Sequence, residues 1–98
     1  MDEKEIKALI EKRRRQIIIH SCIYYVYGKA LITDTQFDKW AYELVDLQKK
    51  YPNIGGDWAF EFRGFDGTTG FHLNLHNEWV MGKAQILIEY AEKNGLLL

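Results

Sequence analysis

Between Ile23 and Trp40 the chain reads IYYVYGKALITDTQFDKW, and this stretch holds its densest set of side chains able to recognise a ligand. Tyr24, Tyr25 and Tyr27 are followed, after a short polar break, by Asp34, Phe37 and Asp38. Aromatic faces attract flat or cationic groups, and carboxylates accept hydrogen bonds from ribose hydroxyls. If the two halves face one another, a flat aromatic cation, or a ribose needing acceptors, would fit between them. Each residue also has a purely structural use: Asp34 as a helix cap, Asp38 as a charge matched to a helix dipole, and the tyrosines as core.

Other reactive residue types do not assemble into a site. His72 and His76 have the spacing of a helical zinc pair, but the segment around them alternates like a strand. There, positions four apart lie roughly 13 Å from each other, too far for one ion. His20, Ser21 and Cys22 are neighbours in sequence, yet helical neighbours point about 100° apart, so they form no nucleophile and base pair. Gly55-Gly56 lacks the Lys-Ser/Thr that follows in a phosphate-binding loop, and Gly82-Lys83-Ala84 lacks the upstream glycine and the hydroxyl. Lys12-Arg13-Arg14-Arg15 is basic, but four consecutive helical residues spread around the whole circumference. No complete catalytic constellation and no metal site is expected.

The elements that must position the aromatic and acidic cluster are two helices. From Asp2 to about Tyr27, Ile6, Leu9, Ile10, Ile17, Ile23 and Tyr24 recur at helical steps behind an acidic start. The second half, IIIHSCIYYVY, is apolar nearly all round and must be covered on more than one side. Gly28 is suited to end this helix, and Thr33 or Asp34 to cap the next, with Gln36 placed for a capping box. The second helix then runs from about Thr35 to Lys50, with Phe37, Trp40, Ala41, Leu44, Leu47 and Tyr51 on one stripe, and Pro52 stops it. A short connection between such helices makes an antiparallel hairpin, which sets the end of one beside the start of the other.

Beyond Gly56 the pattern changes to a period of two. Trp58, Phe60 and Phe62 alternate with Ala59, Glu61 and Arg63, and Phe71, Leu73 and Leu75 alternate with His72, Asn74 and His76. With Asp66-Gly67-Thr68-Thr69-Gly70 between them, the two runs predict a β-hairpin. A helix over Trp79 to Asn94, closed by Gly95, would cover its apolar face. The expected fold is therefore α+β in the order ααββα, one domain over residues 1–98, with a helical hairpin over 9–54 and a β-hairpin plus helix over 57–98.

The 98 residues are 47% hydrophobic and 14% aromatic, enough for a core, and the net charge of −1 offers no broad basic face for direct nucleic-acid binding. Neither a signal peptide nor an apolar run long enough to span a bilayer is visible, and the lone Cys22 cannot form an internal disulfide. A reducing cytoplasm is the expected location. The aromatic content makes self-association into a homo-oligomer a further expectation.

One resemblance bears on the opening stretch. His20-x3-Tyr24-Tyr25-Val26, then Ile32-Thr33-Asp34-x2-Phe37-Asp38, then Glu43-Leu44-x2-Leu47 and Tyr51-Pro52, resembles the N-terminal helical subdomain of NAD⁺-dependent bacterial DNA ligases. The likeness covers Leu9 to Ile54. In that family the subdomain closes over the nicotinamide mononucleotide (NMN) half of NAD⁺, and the resemblance places the NMN contacts on Tyr24, Tyr25, Asp34, Phe37 and Asp38. Phe37 departs from the family's tyrosine, keeping a ring and losing a hydroxyl. A second departure is Gly64-Phe65-Asp66-Gly67, with glycine where the family's adenylation domain carries its nucleophilic lysine. The resemblance thus implies a non-catalytic relative of phage or mobile-element type that lacks the adenylation domain, requires no cofactor and takes NMN or NAD⁺ as its candidate ligand. The other class left open is a protein-interaction factor, an inhibitor of a host enzyme or defence nuclease, that uses the hairpin as scaffold.

Overall fold

Each helix begins at a residue whose side chain accepts a hydrogen bond from a first-turn amide. The Asp2 carboxylate accepts from Glu5 N–H at 2.8 Å and opens α1, Glu3–Tyr25. The Thr33 hydroxyl accepts from Gln36 N–H at 3.1 Å and opens α2, Asp34–Lys50. Asn77 accepts from Trp79 N–H and Val80 N–H and opens α3, Glu78–Asn94. The computed structural model describes residues 1–98, and these three helices are its only regular elements.

α1 lies between the other two and packs against both, while α2 and α3 do not meet. This accounts for the broad apolar surface of its second half: Ile17, Ile18, Cys22 and Ile23 are all fully buried, on more than one side of the helix, while Tyr24 and Tyr25 remain exposed. They share one core with Leu44 and Val45 of α2, Val80, Ala84 and Ile88 of α3, and Phe62, Phe65, Leu73 and Leu75 of the connection. Each fully buried large side chain contributes about 1.5–3 kcal/mol relative to an exposed one.

The β-hairpin expected over 57–76 is absent, so the molecule is all-α rather than α+β. Residues 51–77 instead form successive turns, held locally by Phe62 N–H to Trp58 O (3.1 Å), Arg63 N–H to Phe60 O (3.2 Å) and Leu73 N–H to Gly70 O (3.1 Å). Trp58 itself takes a φ of 65°, which ends any extended run at its first aromatic. The alternating aromatics consequently share no face: Phe62 is fully buried while Phe60 is 73% exposed, and Leu73 is buried while Phe71 is 68% exposed.

A strand partner is replaced here by helix side chains. Arg14 donates from Nη1 to Gly55 O (2.9 Å) and Asp57 O (3.0 Å) and from Nε to Gln48 Oε1 (2.9 Å). Gln48 Nε2 donates to Phe62 O at 3.2 Å, and Asp57 N–H donates to Glu11 Oε2 at 2.8 Å. Arg14 is only 3% exposed, and burial pulls the pKa of its guanidinium below the ordinary value, with nearby Glu11 and Glu61 partly offsetting this. Four backbone groups of the connection, Gly55 O, Asp57 O, Phe62 O and Asp57 N–H, are thus satisfied without a ladder.

Candidate functional site

The site begins with the way α1 ends. Gly28 has a φ of 65°, and Gly28 N–H and Lys29 N–H return to Tyr24 O (3.1 Å) and Ile23 O (3.0 Å). This left-handed closure reverses the chain within residues 26–33 and delivers it to the Thr33 cap of α2. The C-terminal part of the molecule braces this reversal: Gln85 Nε2 donates to the Tyr27 hydroxyl at 2.9 Å, and Leu98 N–H donates to Ala30 O at 2.9 Å.

Between the end of α1 and the start of α2 lies a cleft of about 310 Å³, within the range of small-ligand pockets. Tyr24, Tyr25, Asp34, Phe37 and Asp38 all line it. Tyr27, which shares their stretch of sequence, does not; it turns instead towards α3. Asp34 and Asp38 are exposed and one helical turn apart, so their carboxylates share a face of α2. Tyr24 is 56% exposed and stands edge-on to Tyr25, with ring centres 5.0 Å apart. Tyr25 is fixed from the far side by Phe71, edge-on at 5.2 Å, and by a 2.8 Å hydrogen bond between its hydroxyl and Thr69 Oγ1.

Eight further residues line the cleft, four of them, Ala30 to Thr33, from the chain reversal itself and four from positions that the sequence reading does not assign to a site. His20 and Ser21 stand three to four residues before Tyr24 and Tyr25, a spacing that puts them on the same helix face and could have flagged them. Thr68 and Thr69 arrive from the 51–77 connection, and no local signal announces them. The His20 ring is half-buried, 5.7 Å from that of Trp40, and burial pushes its pKa below the ordinary 6.5, so the imidazole is neutral at pH 7. Ser21 is 1% exposed, and its hydroxyl has no hydrogen-bond partner. Gly70 packs so closely on it that a Cβ there would overlap Ser21 Oγ.

These contacts do not build a nucleophile. Ser21 Oγ receives no bond from His20, and burial raises the pKa of the Cys22 thiol, which disfavours the reactive thiolate. No group of three His, Cys, Asp or Glu residues converges in a way that could hold a metal ion. The basic run disperses as its helical geometry requires. Arg13 pairs with Glu43 at 3.3 Å and lies over the Trp40 ring, while Arg14 is buried in its staple.

A known family shares the part of the chain that forms most of this cleft. The family described as DNA ligase-like, N-terminal NAD⁺-binding domain matches residues 3–56, which hold α1, α2 and the reversal between them. The chain belongs to this family. Among its relatives, the DNA ligase of Thermosipho africanus is 44% identical over 54 residues, covering 55% of this chain and 8% of that protein. The DNA ligase of Petrotoga mobilis is 43% identical over 51 residues, covering 52% and 8%. That of Carboxydothermus hydrogenoformans is 33% identical over 73 residues, covering 64% and 11%. The chain therefore spans only about a tenth of the length of these curated relatives. No solved structure matches. Within this DNA ligase-like chain, every cleft residue except Thr68 and Thr69 falls in the family segment. No helix is long and apolar enough to cross a membrane.

Proposed function

We propose that this chain is a non-catalytic binding protein for the nicotinamide–ribose part of NMN or NAD⁺. The observation that carries the reading is the convergence of Tyr24, Tyr25, Asp34, Phe37 and Asp38 on one cleft inside the segment shared with an NAD⁺-binding domain family. A pyridinium ring is flat and cationic, and the exposed Tyr24 ring beside two carboxylates offers both a face to lie on and compensating charge. Asp34 and Asp38 also supply acceptors for ribose hydroxyls, and Phe37 contributes a ring without a competing donor. The non-catalytic reading is supported by the unpaired Ser21 hydroxyl and by Gly64, which stands where the ligase-type motif that 64–67 resembles would carry lysine.

Titration of the ¹⁵N-labelled protein with NMN and NAD⁺ tests the proposal. Resonances of Tyr24, Tyr25, Asp34 and Asp38 should shift, and Asp38→Ala should weaken binding roughly tenfold or more, the value of one hydrogen bond to a charged group. Unmoved resonances at millimolar ligand would sink it.

A further inference from the structure

Away from the cleft, one buried cation has no carboxylate beside it. Arg14 is 3% exposed, yet the chain's one ion pair is Arg13 with Glu43, and Glu11 and Glu61 act on Arg14 only from beyond ion-pair distance. Buried charges are ordinarily paired. Arg14 instead directs Nε to Gln48 and Nη1 to the carbonyls of Gly55 and Asp57, all neutral acceptors, and its remaining nitrogen, Nη2, meets no protein acceptor.

Arg14 lines a groove of about 370 Å³ where α1, the end of α2 and the 51–77 connection meet. The groove shares no residue with the nicotinamide cleft, and Gln48 in its wall stands roughly 21 Å along α2 from Asp34 at 1.5 Å per residue. No acidic residue lines it, and its two charged side chains are Arg14 and Arg63. Arg63 has no carboxylate partner either; its guanidinium lies over the exposed Phe60 ring, 4.8 Å from the ring centre. The backbone N–H groups of Asn53, Gly55 and Gly64, all in the wall, donate to no protein acceptor. Several acceptors beside them are already engaged: Gly55 O and Gln48 Oε1 by Arg14, and Phe62 O by Gln48. A Cβ built on Gly55 or Gly64 would meet nothing, so the backbone there is open to close approach.

We infer that this groove is a second binding site, for a phosphate group, in which Arg14 and Arg63 hold the anion and Asn53, Gly55 and Gly64 add amide donors. Two guanidinium groups and free amides suit a ligand group that only accepts hydrogen bonds, and phosphate takes guanidinium forks and backbone amides together. The space admits either the free anion or the phosphate end of a small phosphomonoester. Arg63 and Gly64 lie beyond residues 3–56, so the segment shared with the ligases does not by itself supply the site. The inference is independent of the nicotinamide reading.

Titration of the ¹⁵N-labelled full chain with inorganic phosphate, at an ionic strength held constant with chloride, tests it. The Nε–H resonances of Arg14 and Arg63 and the amides of Asn53, Gly55 and Gly64 should shift and saturate at millimolar phosphate, while those of Tyr24 and Asp38 stay in place. Arg63→Gln removes an exposed charge and should weaken binding roughly tenfold or more, and Asn53→Ala should weaken it by a smaller factor. A parallel titration with glycerol phosphate separates the two sources: a preference of roughly tenfold over inorganic phosphate assigns the site to phosphomonoesters, and equal or weaker binding assigns it to the free anion. Shifts that grow without saturating overturn the site, as does phosphate binding left unchanged by both Arg63→Gln and Asn53→Ala in variants whose thermal melts match the parent.

Discussion

Ser21 offers a perturbation that should stabilise the fold by removing a polar group. Its hydroxyl is 1% exposed and unpaired, a state that costs about 1–3 kcal/mol in desolvation. Ser21→Ala removes that group, gains a few tenths of a kcal/mol in helix propensity and leaves a void of only one oxygen, worth less than about 1 kcal/mol. The net expectation is a gain of about 1–2 kcal/mol, which for a chain of this length raises Tm by roughly 5–10 °C. Thermal melts followed by circular dichroism, with urea midpoints as a second measure, read this directly. A fall in Tm would refute the reasoning, because it would mean that the hydroxyl has a partner worth keeping. Gly70 supplies an internal check. A Cβ at position 70 meets both Ser21 Oγ and Ser21 Cβ, the latter at 2.7 Å, so Gly70→Ala should cost about 1–3 kcal/mol. Ser21→Ala relieves only the first of these contacts, and Ser21→Gly relieves both, so the relief of the Gly70→Ala clash should deepen from one double variant to the next.

Arg14→Met keeps the bulk of the side chain but deletes three donors to Gln48, Gly55 and Asp57; it should lower stability by about 2–4 kcal/mol, seen as a reduced urea midpoint. His20 is disfavoured as a cation in the folded protein, so its folded pKa lies below its unfolded value. The unfolded chain then binds more protons, and stability should be full above about pH 6.5 and decline as pH falls below it, a slope that flattens in His20→Gln. Once pH falls through the lowered folded value, a protonated His20 places positive charge in the cleft, and the affinity for a pyridinium cation should drop along a titration series taken downward from pH 7.

The helices were legible because each carries its own punctuation. Thr33 and Gly95 act as cap and stop where their residue types suggest, and Gly28 takes the left-handed conformation expected of it. The antiparallel pair that follows from them is enough to bring Tyr24 and Tyr25 beside Asp34, Phe37 and Asp38. The connection was misread because the alternation of Trp58, Phe60 and Phe62 spans only five residues, too few to separate a strand from tight turns that bury Phe62 and Phe65 at a spacing of three. What decides between them is Arg14, whose hydrogen bonds to the connection reach across 41 and 43 residues and leave no trace in any local window. The Thr68–Thr69 wall of the cleft was hidden for the same reason. Its place depends on the packing of Gly70 against Ser21, which is a tertiary contact.

The central position of α1 also sets an order of assembly. α2 follows it after the eight residues 26–33, whereas α3 reaches it only after the 27 residues 51–77, so closing the first pair sacrifices less chain entropy than closing the second. The tyrosine and aspartate faces of the cleft should therefore meet early in folding, and the threonine wall should be added last. Read in reverse, the wall is the part that opens first: amides of residues 66–72 should exchange with solvent well before those of Ile17 to Ile23, so that a molecule with its core intact can still admit and release a ligand.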